Sequence, residues 1–114
     1  MTNAQKIEIL ETLLADSGEV PGVNTLNSYL LVSEHEILAW MYHLIGGVPD
    51  GVTEVPTKYD GTQIYAVIAG YTHAGAEGQS THIENGVHRV FNYDDMLGYI
   101  HNHVLPYVRV GAVT

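Results

Sequence analysis

The chain has 114 residues, of which 46% are hydrophobic and 15% charged, and it carries a net charge of −9 from 13 acids against Lys6, Lys58, Arg89 and Arg109. That length allows one domain burying roughly two-thirds of the surface its unfolded form exposes, and the lack of cysteine excludes disulfides and thiolate metal sites. No two basic residues lie close enough in sequence to drive nucleic-acid binding by counterion release, no apolar run approaches the about 18 residues that span a bilayer, and MTNAQKIEILETL has neither the basic start nor the apolar core of a signal peptide, so synthesis in the cytoplasm is expected.

Periodicity predicts a first helix over about 3–15. Ile7, Leu10, Leu13 and Leu14 recur at helical spacing, and Asp16, Ser17 and Gly18 supply the stop. After a loop with Pro21 and Gly22, a longer helix is expected over 25–45, capped by Asn24 or Thr25 and ended by Gly46-Gly47. Its apolar stripe is Leu26, Tyr29, Leu30, Ile37, Trp40, Met41 and Leu44, and Trp40, Met41 and Tyr42 read as core rather than as a cofactor box. GGVPDGVTEVP reads as a loop, with Asp50-Gly51 at a turn.

A third helix over 59–74 turns Ile64, Val67, Ile68 and Tyr71 inward, although its β-branched residues make a strand over 63–69 the competing reading. Gly75 is expected to cap it in the left-handed conformation. A long ordered loop over 75–91, GAEGQSTHIENGVHRVF, leads to a fourth helix over 93–104. Asn92 caps this helix, Asp94 and Asp95 complement its positive first turn, and Met96, Ile100 and Val104 face inward. Pro106 ends it, and residues 105–114 follow as an extended tail that could add as a strand to a partner or trail as an arm. The expected fold class is mainly α: one domain over 1–114, a small bundle of about four helices with the long loop between helices three and four.

The loop invites chemical readings, and none has the spacing or the partner residues that would make it specific. His82, Glu84 and His88 fall in an HxExxxH pattern, whereas helical zinc sites place two histidines at i and i+4. His101 and His103 lie two apart on a predicted helix and face different ways. The HxE pair lacks the PCxxC partner of zinc deaminases, and Ser80 beside His82 has no nucleophile elbow. Gly75 to Gly78 forms a GxxG without the lysine of a phosphate loop. Neither a metal, nor a cofactor, nor a catalytic residue is therefore expected. The glycines read as backbone devices, Gly86 at a tight turn. Arg89, in a chain so short of cations, reads as a bidentate partner for Glu77, Glu84 or Asp94 that pins the loop within a subunit or across an interface. Eight tyrosines on a charge-poor surface suit protein contact.

Gly75-Ala76-Glu77-Gly78-Gln79, then Ser80-Thr81-His82, Glu84-Asn85-Gly86 and Arg89, closely resemble in order and spacing the signature loop of the phage head-tail connector family, the adaptor or head-completion proteins of long-tailed phages. The resemblance extends to the short first helix, the long second helix, the TQIYAVIAGY helix and the valine-rich tail. Val87-His88 and the glycine-rich GGVPDGV connection depart from the family pattern. The resemblance implies a structural virion protein with no enzymatic activity, made in the host cytoplasm and located in the virion neck. It would form a homo-oligomeric ring, dodecameric on the portal, that extends the DNA channel and gives a stopper or tail-completion protein a docking surface. DNA would pass without specific binding, as the acidic charge suits. Gly75, Glu77, Gly78, Gln79, His82, Glu84, Asn85, Gly86 and Arg89 would then be interface residues, with Tyr107, Val108, Arg109 and Val110 meeting the portal protein. The competing classes are a small phage regulator that binds a host protein and a His/Glu metal-dependent enzyme.

Overall fold

Thr2 opens the first helix with a capping box: its side chain accepts from the Gln5 N–H at 3.1 Å, and the Gln5 side chain accepts from the Thr2 N–H at 2.8 Å. Two donors that a first turn leaves over are thereby satisfied. The computed structural model describes residues 1–16, 20–77 and 92–108, with backbone alone over 72–77. It contains α1 (Asn3–Ala15), α2 (Val23–Tyr42), α3 (Asp60–Glu77) and α4 (Tyr93–His103), with 3-10 turns at His43–Ile45 and Thr57–Tyr59. The described residues form no strand, and the fold class is mainly α as the periodicity predicts.

Boundaries differ from expectation by more than one residue at three places: both ends of α2, which stops at Tyr42 before the 3-10 turn, and the end of α3. Helix α2 begins at Val23 rather than beyond Asn24 or Thr25, because Gly22 takes the cap position in extended backbone and its carbonyl accepts from the Leu26 N–H at 3.0 Å. Helix α3 does not stop at Gly75 but runs to Glu77, so Gly75 and Glu77 lie on its last turn instead of in a loop. A glycine inside a helix costs about 1 kcal/mol relative to alanine, and the flanking Ala74, Ala76 and Glu77 are good helix formers. The strand reading of 63–69 fails as well. Ile64, Val67 and Tyr71 are buried at helical spacing, and that burial outweighs the small propensity cost of β-branching.

Glycine conformation matters most at the end of α2. Gly46 and Gly47 have φ of 105° and 102°, and the Gly47 N–H donates to the Tyr42 carbonyl at 2.9 Å, the six-to-one bond of a Schellman ending. Gly51, with φ of 90°, makes the turn expected at Asp50-Gly51.

Helices α3 and α4 run antiparallel. At one end the Asn92 N–H donates to the Gly70 carbonyl at 2.9 Å, and at the other the Leu105 N–H donates to the Tyr59 hydroxyl at 3.1 Å. Helix α2 is antiparallel to α3, with Tyr29 tilted against Tyr71 and Ser33 beside Gln63. Both α1 and α4 pack on α2 and α3, yet not on each other. Two helices that touch both members of a pair without meeting must occupy its opposite grooves. The core is the set these contacts close off, among them Leu10, Leu14, Leu26, Ile37, Met41, Val67, Met96 and Ile100. Leu13 and Leu44, expected inward, are 39% and 53% exposed. Each lies at the edge of its stripe, and Lys6, four residues before Leu10, takes the inward position on α1 instead.

Helix α4 matches its sequence signals closely. The Asn92 side chain accepts from the Asp95 N–H at 3.2 Å, Asp94 and Asp95 lie in the first turn, and Met96, Ile100 and Val104 are buried. Asn92→Ala is expected to lower unfolding free energy by about 1 kcal/mol through loss of this cap. Urea denaturation followed by circular dichroism measures it, and an unchanged midpoint would mean the cap bond contributes nothing.

Candidate interaction surfaces

The antiparallel hairpin of α3 and α4 separates two sets of sequence-selected residues. Gly75 and Glu77 sit on the last turn of α3, and Asn92 re-enters two turns back along the same helix. Gly78, Gln79, His82, Glu84, Asn85, Gly86 and Arg89 lie outside the described residues, as do Arg109 and Val110. The segment that holds the first group therefore begins and ends at one end of the hairpin, and the chain leaves α4 at the other.

The tail departs from expectation in being tied back to its own subunit. The Tyr107 N–H donates to the Met41 carbonyl at 2.8 Å, and the Tyr107 ring tilts against Tyr42 with centroids 5.1 Å apart. Residues 104–108 therefore run along the end of α2 without forming a strand. Tyr107 and Val108 remain 40% and 65% exposed.

Beside the tail lies an aromatic stack that sequence spacing does not reveal. Trp40 is held between two imidazoles, His43 at 4.4 Å and His101 at 3.9 Å between centroids, with interplanar angles of 19° and 25°. Its indole N–H donates to the Val104 carbonyl at 2.9 Å. His103 stacks on Tyr99 at 4.0 Å. The Nδ1 atoms of His43 and His103 lie 2.6 and 2.8 Å from the carbonyls of Trp40 and Tyr99. A carbonyl only accepts, so both imidazoles carry the proton on Nδ1 and turn Nε2 away from the helix. Trp40 and His43 come from the end of α2 and the 3-10 turn after it, and Tyr99, His101 and His103 from the second half of α4. His101 and His103 diverge as their two-residue spacing predicts, and no cluster of three metal-binding side chains exists among the described residues.

A polar network is buried where α1, α2 and α3 meet. Lys6 Nζ donates to Gln63 Oε1 and lies 3.3 Å from Asp60 Oδ1, while Asp60 Oδ2 is 3.1 Å from the Met1 amino nitrogen. Gln63 Nε2 donates to the Leu30 carbonyl at 3.0 Å and to Ser33 Oγ at 3.1 Å. Every member of the chain from Lys6 to Ser33 has a partner, as burial demands. A cleft of about 490 Å³ opens beside this network, lined by Met1, Thr2, Asn3, Lys6, Glu34, Glu54 and Val55. Lys6 serves Asp60 and Gln63 at once, so this arrangement braces three helices.

The phenols of Tyr29 and Tyr93 are perturbed. Burial raises Tyr29 above its ordinary value, and the hydrogen bond from the Tyr93 hydroxyl to Glu36 Oε2, at 2.5 Å, raises Tyr93, with burial and the charges of Glu36 and Asp94 adding to it. A raised phenol keeps its proton longer in the folded state than in the unfolded one. Its stabilising contribution is thus complete below the ordinary value of 10.0 and declines as pH rises through the folded value. Glu36→Gln is expected to bring Tyr93 ionisation back toward the ordinary value in an ultraviolet titration; an unchanged curve would assign the shift to burial.

Comparison of the chain with protein-family models, with curated proteins and with solved structures gives no match. No helix among the described residues is long and apolar enough to cross a membrane.

Proposed function

We propose that the chain is a structural subunit of the head-tail connector of a long-tailed phage, a ring beneath the portal that extends the DNA channel and offers a docking surface to a stopper or tail protein. The observation that carries the reading is the motif from Gly75 to Arg89, which starts on the last turn of α3 in a sequence that returns at Asn92 to the same helix. A ring needs a heterologous contact, in which different surfaces of one subunit meet different surfaces of the next. A subunit whose chain leaves and re-enters at one end of the hairpin around the signature segment, and which bears an aromatic face at the other, suits that requirement. The net charge of −9 suits a channel wall past which DNA slides, because like charge lowers adhesion.

In this reading the partners are further copies of the chain, the portal protein and the next neck protein, and the site of action is the virion neck. Arg89 clasps a carboxylate of the signature segment or of its neighbour. Arg89→Ala is expected to leave the subunit folded and to abolish incorporation into neck particles, scored by electron microscopy of particles labelled for this chain. Neck particles that never contain the wild-type chain would sink the connector reading, and normal necks built from Arg89→Ala would remove the clasp.

A further inference from the structure

The two outer flanks of the subunit differ in charge as well as in position. Helix α1 occupies one groove of the α2–α3 pair and α4 the other. The outward side of α1 carries Glu8, Glu11 and Asp16 around Ile9 and Leu13, the last two 36% and 39% exposed. Its lysine, Lys6, is buried in the network with Asp60, so this face is acidic and apolar without a compensating cation.

The far end of the opposite flank, away from Asp94 and Asp95 in the first turn of α4, is drawn from stretches that hold no acid. Residues 37–49, 55–59 and 96–108 contain neither aspartate nor glutamate, in a chain with 13 of them. The fold gathers these three stretches at the ends of α2 and α4, through Trp40 to Val104, Leu105 to Tyr59 and Tyr107 to Met41. Exposed there are Leu44, Leu105 and Val108, 53%, 77% and 65% accessible, together with Lys58, His101 and His103. Lys58 lies over the Tyr59 ring at 5.2 Å and so belongs to the same face.

We infer that this acid-free face receives the outward face of α1 from a second copy of the chain. Two molecules of charge −9 repel, and the repulsion is least where an acidic surface meets one without carboxylates. Apolar side chains lie within both faces, Ile9 and Leu13 on one and Leu44, Leu105 and Val108 on the other, as the centre of an interface requires. Because the two faces are different surfaces of one subunit, the contact is head-to-tail and repeats from copy to copy, as a ring requires. The inference deepens the connector reading and rests on it for its biological setting, while its physical content concerns the purified chain alone.

The absence of cysteine makes a direct test possible. Leu13→Cys and Leu105→Cys, both at exposed positions, are made as separate variants, checked for native circular dichroism, mixed in equal amounts and treated with a flexible bismaleimide. The expected product is the Leu13→Cys/Leu105→Cys heterodimer in excess of its random-pairing share, an excess that declines as salt is raised and is lost when Glu8→Lys and Glu11→Lys are added to the Leu13→Cys chain. Random pairing, an excess of either homodimer, or no cross-linked product overturns the inference. Neck particles that lack the chain while the heterodimer still dominates would remove the connector reading and leave this contact standing; particles that contain it while pairing is random would do the reverse.

Discussion

Lys6→Ala is expected to lower the free energy of unfolding by about 3–5 kcal/mol, the cost of leaving half of a buried ion pair behind. Lys6 and Asp60 are 3% and 5% exposed, so water cannot replace what the ammonium supplies. Removing it strips Gln63 Oε1 of its donor and leaves Asp60 with the Met1 amino group alone. Because Gln63 also holds the Leu30 carbonyl and Ser33, the loss extends to the α2–α3 contact. Replacing both charges, as in Lys6→Met with Asp60→Leu, is expected to restore part of the stability, since an apolar pair has no desolvation penalty to recover while Gln63 Oε1 still lacks its donor. Urea midpoints of the wild type, both single variants and the double variant close the cycle. A loss under about 1 kcal/mol for Lys6→Ala would show that the pair is solvated and contributes as a surface bridge does.

Trp40→Ala is the second large effect, with an expected loss of about 3 kcal/mol. The indole packs against the core, separates His43 from His101 and donates to the Val104 carbonyl. Its removal therefore loosens the join between the end of α2 and the end of α4 as well as opening space. Trp40→Phe keeps a ring between the imidazoles and removes only the donor, so its loss should be about 1 kcal/mol. Circular dichroism is the suitable probe because the substitutions remove the chain's single tryptophan. Equal losses for the two variants would assign the whole effect to the hydrogen bond and none to the stack.

These two residues also mark where sequence reading succeeds and where it stops. Helix α4 is legible from start to finish because its signals are local: a capping asparagine, two acids in the first turn, and apolar residues four apart. Trp40 and Met41 are legible as core-facing for the same reason. Lys6, Ser33 and Gln63 are not, although a signal exists. Each is a polar residue placed four before an apolar member of its own helix stripe, at Leu10, Ile37 and Val67. What satisfies them comes from other helices, and spacing along one helix carries no information about that. The His43-Trp40-His101 stack is hidden for the same physical reason, since its two sides come from the ends of different helices. Gly75 illustrates the opposite error: a residue that often ends helices stands inside one, because the alanines and glutamate around it favour continuation.

The antiparallel pairing of α3 with α4 has a mechanical consequence. Helix α3 is about 27 Å long at 1.5 Å per residue, and it is fastened near its start by the Tyr59 hydroxyl and two turns before its finish by the Gly70 carbonyl. A load applied on the tail side would run along the axis of this braced rod and compress backbone hydrogen bonds before it flexed a connection.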